Sequence, residues 1–271
     1  MLTTCFRFCD FVTASPTPFH AVHNLVNRLS SAGFKRISER GATDTQLSGG
    51  GKYFYTRNQS ALVAFTLPSK PTPSSAISFA VGHLDSPCPK VRPVSKKTKG
   101  AFLQVGVELY GGGIWPSWFD RDLSLAGRVI VASPNHEVGY VSKLVKIDRP
   151  LLRIPTLAVH LDRTINDAFK FNKETEMVPI LGLVADKLNA DTGGAGGGKD
   201  AAAGGGVPFS GRNTPAHEDS VAQEDVAGME ARHHPLLLAV LADELGCSIG
   251  DIQDFELYVH GSPFQYLKGR I

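Results

Sequence analysis

At 271 residues, 42% apolar and 20% charged, the chain has the balance of one large or two modest globular domains, not of a disordered segment. A net charge of +2 gives no electrostatic case for a nucleic acid or an anionic membrane as partner. No apolar stretch is long enough to span a bilayer, and the first ten residues lack a basic start followed by an apolar core, so neither a membrane span nor a secretory signal is expected.

The four cysteines, Cys5, Cys9, Cys88 and Cys247, are scattered and suit a reducing compartment as buried or inert thiols. Cys5 and Cys9 share a helix spacing, but no second cysteine pair completes a zinc site. Over residues 11 to 33, Ser15-Pro16-Thr17-Pro18 opens a helix, with Thr17 as cap and Pro18 in the first turn. Phe19, Val22, Val26 and Leu29 then recur at helical spacing, and Gly33 closes it. His20 and His23 in its first turns read as solvated or capping histidines. Three strands are expected next: Lys52–Thr56, Ala61–Leu67 and Ala76–Val81. The third is apolar throughout and reads as a buried strand at the centre of a sheet.

That third strand runs into Gly82-His83-Leu84-Asp85-Ser86-Pro87-Cys88. Loops at the C-terminal ends of strands are where α/β proteins place their sites. His83 can offer one ring nitrogen to a metal while Asp85 helps to orient loop and ring, and metal-bound histidines need such a partner. A His-x-Asp is a common pattern, and a solvated surface histidine is the alternative on this motif alone.

Arg92, Lys96, Lys97 and Lys99 read as a solvated basic linker rather than a nucleic-acid patch. Leu103, Val105, Val107 and Leu109 alternate onto one strand face. Gly111-Gly112-Gly113 lacks the lysine of a phosphate loop and reads as a turn that lets backbones approach closely. Trp115 and Trp118 precede Phe119-Asp120-Arg121-Asp122. Ala126–Ala132 and Val138–Ile147 are further strands, so a second, β-rich unit follows the first sheet. His160 ends the apolar run from Leu157 and, on its own, reads as a satisfied core residue. Pro179–Leu188 has a helical pattern. Nine of the 21 residues in 191–211 are glycine, and the segment is expected to be a disordered surface loop. Pro235 opens a helix with Leu237, Val240, Leu241 and Leu245 on its buried side, closed by Gly246. His233 and His234 point in different directions, one of them as a cap. Asp254–Val259 is the last expected strand.

Several of these pieces together resemble the aspartyl aminopeptidase family. They are Ser15–Val22, Gly82–Cys88, Gln104–Trp115, Trp118–Leu123, Arg153–Leu161 and Glu230–His234, in one order from about Phe11 to about Leu257. The resemblance implies an α/β fold, a zinc-exopeptidase catalytic domain interrupted by a β-rich dimerisation domain. It implies a co-catalytic pair of zinc ions per subunit, and removal of N-terminal aspartate or glutamate from peptides. It also implies large homo-oligomers, with a cytoplasmic or vacuolar location. Residues 1–95 and 230–271 would form the two parts of the catalytic domain, and 96–229 the dimerisation domain. His83 resembles a zinc ligand, Asp85 its orienting catalytic carboxylate, and His160 the histidine that reaches a neighbouring subunit's substrate pocket. Tyr258–Ile271 departs from the family pattern. The remaining zinc ligands and the general-base glutamate have no counterpart in the sequence, so a truncated catalytic domain with a partial sheet is expected. The alternative is a non-catalytic oligomerisation subunit, or a fragment of such an enzyme.

Overall fold

Thr17 starts a helix through its own chemistry. Its backbone is extended, and its hydroxyl accepts the His20 N–H, one of the donors that a helix start leaves without a partner. The computed structural model describes residues 2–40, 47–70, 72, 75–183 and 228–261. It places α1 over Leu2–Ala14 and α2 over Pro18–Ser31. Phe19, Ala21 and Val22 bury one face of α2, and the chain leaves it through Gly33 at φ 81°. No described helix is long and apolar enough to cross a membrane.

A small sheet follows, with β1 (Lys35–Arg36) parallel to β2 (Lys52–Arg57) and β2 antiparallel to β3 (Ala61–Thr66). Tyr53 and Phe54 on β2 are buried, whereas β3 is mostly exposed at the edge. The expected third strand departs from its reading. Ala76–Val81 is irregular and pairs with no described strand, and Phe79 and Val81 are 85% and 96% exposed. An apolar run is buried only where neighbours cover it, and no described strand or helix lies over this one.

The larger sheet has the order β7-β6-β9-β4-β5-β8, antiparallel throughout. Its strands are β4 (Cys88–Lys99), β5 (Phe102–Tyr110), β6 (Leu123–Ala132), β7 (Tyr140–Lys146), β8 (Ile180–Leu183) and β9 (Ile252–Gly261). The alternation read in β5 holds: Leu103, Val105 and Val107 are buried on one face. Leu125, Val129, Leu257 and Val259 add the central strands, and each buried aliphatic side chain contributes roughly 1.5–3 kcal/mol. Helices α3 (Met229–Arg232) and α4 (Pro235–Leu245) belong to the same core, into which Leu237, Leu238 and Leu241 are fully buried. Gly246 at φ 62° ends α4 in the left-handed conformation that glycine adopts without strain. Thus β9 and α4 share one core with β5–β7, and β4 runs continuously through residue 95.

Other local readings change. The basic run is not a linker: Arg92–Lys99 lies in β4, and Arg92 pairs with Glu108 at 2.8 Å and Glu174 at 2.6 Å. Ile180–Leu183 is the strand β8, not helix, because the edge of β5 offers it a hydrogen-bonding partner. Residues 184–188 and the glycine-rich 191–211 lie outside the described residues. Cys5 and Cys9 are exposed on α1, while Cys88 is buried.

Candidate metal centre

The pairing of β4 with β5 sets the geometry of the His83 loop. Cys88 lies opposite Tyr110, so the end of β5 stands beside the residues just before Cys88. Gly111 continues at φ 80°, and a Cβ there would come within 3.2 Å of the Pro87 Cβ, so this glycine lets the turn rest on the loop. Within the loop, His83 Nδ1 lies 2.8 Å from Asp85 Oδ1 and 2.9 Å from the Asp85 carbonyl oxygen. Both are acceptors when Asp85 is ionised, so Nδ1 carries the proton of the neutral ring and Nε2 keeps its lone pair. The His83 side chain is 82% exposed and that of Asp85 21%. The other Asp85 oxygen, Oδ2, accepts the Tyr110 hydroxyl.

Behind Tyr110 lies a polar network from the sheet. Its ring meets that of Tyr258 edge-on at 6.4 Å, and the Lys90 ammonium lies 5.4 Å and 4.7 Å from the two ring centroids. Lys90 pairs with Glu256 at 2.8 Å, and the Tyr258 hydroxyl donates to the same carboxylate at 2.8 Å. Arg128, directly opposite Glu256 across β6 and β9, closes the set at 3.2 Å. Burial works to raise the Glu256 pKa, but hydrogen bonds from Lys90 and Tyr258, with the charges of Lys90 and Arg128, outweigh it and hold the carboxyl below its usual value. Tyr110 is pushed up by its hydrogen bond to Asp85 and then by burial. Tyr258 is pushed up by burial and then by Glu256. Burial pushes the Cys88 thiol up to about 12, so it offers neither thiolate nucleophile nor thiolate ligand near neutrality. Sequence reasoning missed Tyr110, Lys90, Glu256 and Tyr258. Tyr110, just before three glycines at the end of an alternating strand, was the one available signal.

The loop brings His83 and Asp85 into contact, and His160 belongs to a different loop. It is exposed in a turn closed by the Leu161 N–H donating to the Ala158 carbonyl, and is not a core residue. That turn is braced upstream: Asp120, at φ 51°, accepts the Thr156 N–H at 3.1 Å and the Thr156 hydroxyl. His20, His233 and His234 are structural. His20 is buried rather than solvated, with Nδ1 2.8 Å from Thr17 Oγ1. His233 pairs with Ser95 Oγ at 2.8 Å, and His234 Nε2 with the Lys97 carbonyl at 2.7 Å. His234 stands at the start of α4 without a side-chain cap bond, so both histidines tie to β4 instead of capping the helix. Among the described residues, no three His, Cys, Asp or Glu side chains converge on one point.

The profile of the aminopeptidase I zinc metalloprotease (M18) family matches residues 11–269. The chain belongs to this family. Among its M18 relatives, the aspartyl aminopeptidase of Aspergillus oryzae is 45% identical over 265 residues, 97% of this chain and 50% of that protein. The solved complex of Ape4 and Nbr1 is 40% identical with a TM-score of 0.75, covering 95% of this chain and 44% of the matched one. The S. cerevisiae mApe1 dodecamer, 21% identical over 95% of this chain and 48% of its own, shows the shared fold alone, with a TM-score of 0.68. The M18 chain thus spans about half the length of the curated relatives it matches.

Proposed function

We propose that this chain supplies one part of the active site of a zinc-dependent aminopeptidase that removes aspartate or glutamate from the N-terminus of peptides. The observation that carries the reading is the His83 ring. Its Nδ1 faces the Asp85 carboxylate and its Nε2 is left open, on an exposed loop of a chain in a zinc metalloprotease family. The donor fits zinc: a neutral imidazole whose second nitrogen is held by a carboxylate is a common zinc ligand. When bound, zinc polarises the scissile carbonyl and lowers the pKa of a coordinated water. A catalytic zinc takes about three protein ligands. In this proposal His83 is one of them, in a two-zinc site, and the rest come from outside the described residues. Asp85 fixes the ring that binds the metal.

His160 is proposed to reach the substrate pocket of a neighbouring subunit. Its exposure on a braced turn supports this. The homo-oligomer would form through the β-rich unit, residues 96–229. The four free cysteines support a reducing compartment, the cytoplasm in preference to the vacuole.

The test joins this chain to the half of the A. oryzae enzyme that it does not cover. The fusion is assayed with zinc on aspartyl, glutamyl and leucyl peptides. A site built for a side-chain carboxylate rejects an apolar analogue strongly, so the acidic peptides should be cleaved at least ~100-fold faster. The 271-residue chain assayed alone should give no turnover. Equal rates on leucyl peptides would overturn the substrate class. Turnover by the chain alone that disappears in His83→Ala would show that all the ligands lie within it.

A further inference from the structure

We infer that Tyr110 is a positioning residue for His83, acting through Asp85, a role that rests on the reading of His83 as a zinc ligand. An exposed imidazole and a carboxylate on one short loop hold each other weakly, because solvent competes for both. In this loop the His83 side chain is 82% exposed, so the pair by itself does not fix the ring. Tyr110 changes this. Its backbone lies in β5 opposite Cys88, and its ring is held by Tyr258 and Lys90. Its hydroxyl donates to Asp85 Oδ2, while Asp85 Oδ1 receives His83 Nδ1. The carboxylate therefore bridges a ring anchored in the sheet to a ring exposed to solvent.

The consequence is a choice of tautomer. Which imidazole nitrogen carries the proton is set by the bond that the other makes. With both carboxylate oxygens engaged, Asp85 presents Oδ1 to Nδ1 in one orientation, and Nε2 stays unprotonated and aimed outward. Without the Tyr110 hydroxyl, Asp85 Oδ1 can rotate away, the Asp85 carbonyl at 2.9 Å is left to hold Nδ1, and the preference weakens. The hydroxyl sits at the rim of the sheet, on a residue 40% exposed, so its removal leaves the ring packing in place.

The experiment is Tyr110→Phe in the full 271-residue chain, read by long-range 1H–15N correlation of the histidine rings at pH 8 without metal. The expected result is a single Nδ1–H tautomer for His83 in the native chain and a mixture of the two tautomers in the variant. The thermal midpoint should be nearly unchanged. A tautomer unchanged in the variant, whatever the midpoint does, overturns the proposal. Zinc chloride is then titrated, against a chelating dye, into both proteins fused to the half of the A. oryzae enzyme that this chain does not cover, so that the other ligands are present. About a tenfold weaker response in the variant supports the relay, since losing the partner that orients a ligand weakens metal binding 10–100-fold. A shifted tautomer with no zinc response in either protein keeps Tyr110 as the positioning group but removes the zinc role of His83. Equal zinc responses with an unchanged tautomer overturn the positioning role and leave the zinc role standing.

Discussion

Gly127→Ala should destabilise the chain by about 3 kcal/mol or more, the upper range for forcing extra atoms into a packed interior. Gly127 lies in β6, paired with Val145 on β7 and Leu257 on β9. A Cβ at this position would sit 2.0 Å from the Glu256 carbonyl oxygen and 3.0 Å from the Leu257 Cα. Both obstacles are backbone, so no side chain can swing aside, and β6 and β9 must part locally. That junction lies beneath the core residues Leu125, Val129, Leu257 and Val259, all essentially without solvent contact. At 2–4 °C per kcal/mol for a chain of this size, the melting midpoint should fall by roughly 10 °C. Gly112→Ala is the control, since a Cβ there meets nothing within 4 Å, and it should shift stability by less than about 0.5 kcal/mol. A Gly127→Ala midpoint equal to that of the control would contradict the placement of β9 between β6 and β4.

The second large effect is loss of stability in mild acid. His20 is lowered to about 4 by burial, then by His260, Lys146 and His23 around it. His233 is lowered to about 4 by burial and then by Arg232, with Asp254 acting against the shift. Both histidines titrate near 6.5 in the unfolded chain. Above that pH they are neutral in both states, and their contribution is fully present. As pH falls from 6.5 toward 4 the unfolded state takes up protons first, so stability is lost across that window and the loss levels off below it. Each unit of difference is about 1.4 kcal/mol, so each histidine accounts for a loss on the order of 3 kcal/mol. Urea midpoints at pH 7.5, 6 and 5 should fall steadily, and His20→Gln with His233→Gln should flatten the slope. A midpoint independent of pH across this range would contradict the buried, neutral state of both rings.

What the sequence conveyed depended on how far apart the interacting residues lie. The Thr17 cap, the Gly246 stop and the one-sided alternation of Leu103, Val105 and Val107 are local signals, and each formed as read. Ala76–Val81 misled because apolar character measures the tendency to be covered, not the presence of a cover. Pro179–Leu188 misled because a short apolar run suits helix or strand, and the free edge of β5 decided it. His233 and His234 have partners 138 and 137 residues away in sequence, so spacing could not assign them. The His83–Asp85 pair is separated by one residue and was visible at once. Tyr110 enters the site only through the register that sets it opposite Cys88, which periodicity does not specify. Glu256 and Tyr258 likewise enter only through the pairings of β9.

The central claim is that His83 holds zinc, and metal content tests it most directly. The fusion of this chain with the uncovered half of the A. oryzae enzyme is loaded with zinc, dialysed and measured by atomic absorption, beside its His83→Ala variant. Removing one ligand from a site of about three leaves too few groups to retain the metal. The variant should lose about one zinc ion per subunit and its aspartyl aminopeptidase turnover together. Full zinc content and full turnover in His83→Ala would contradict it.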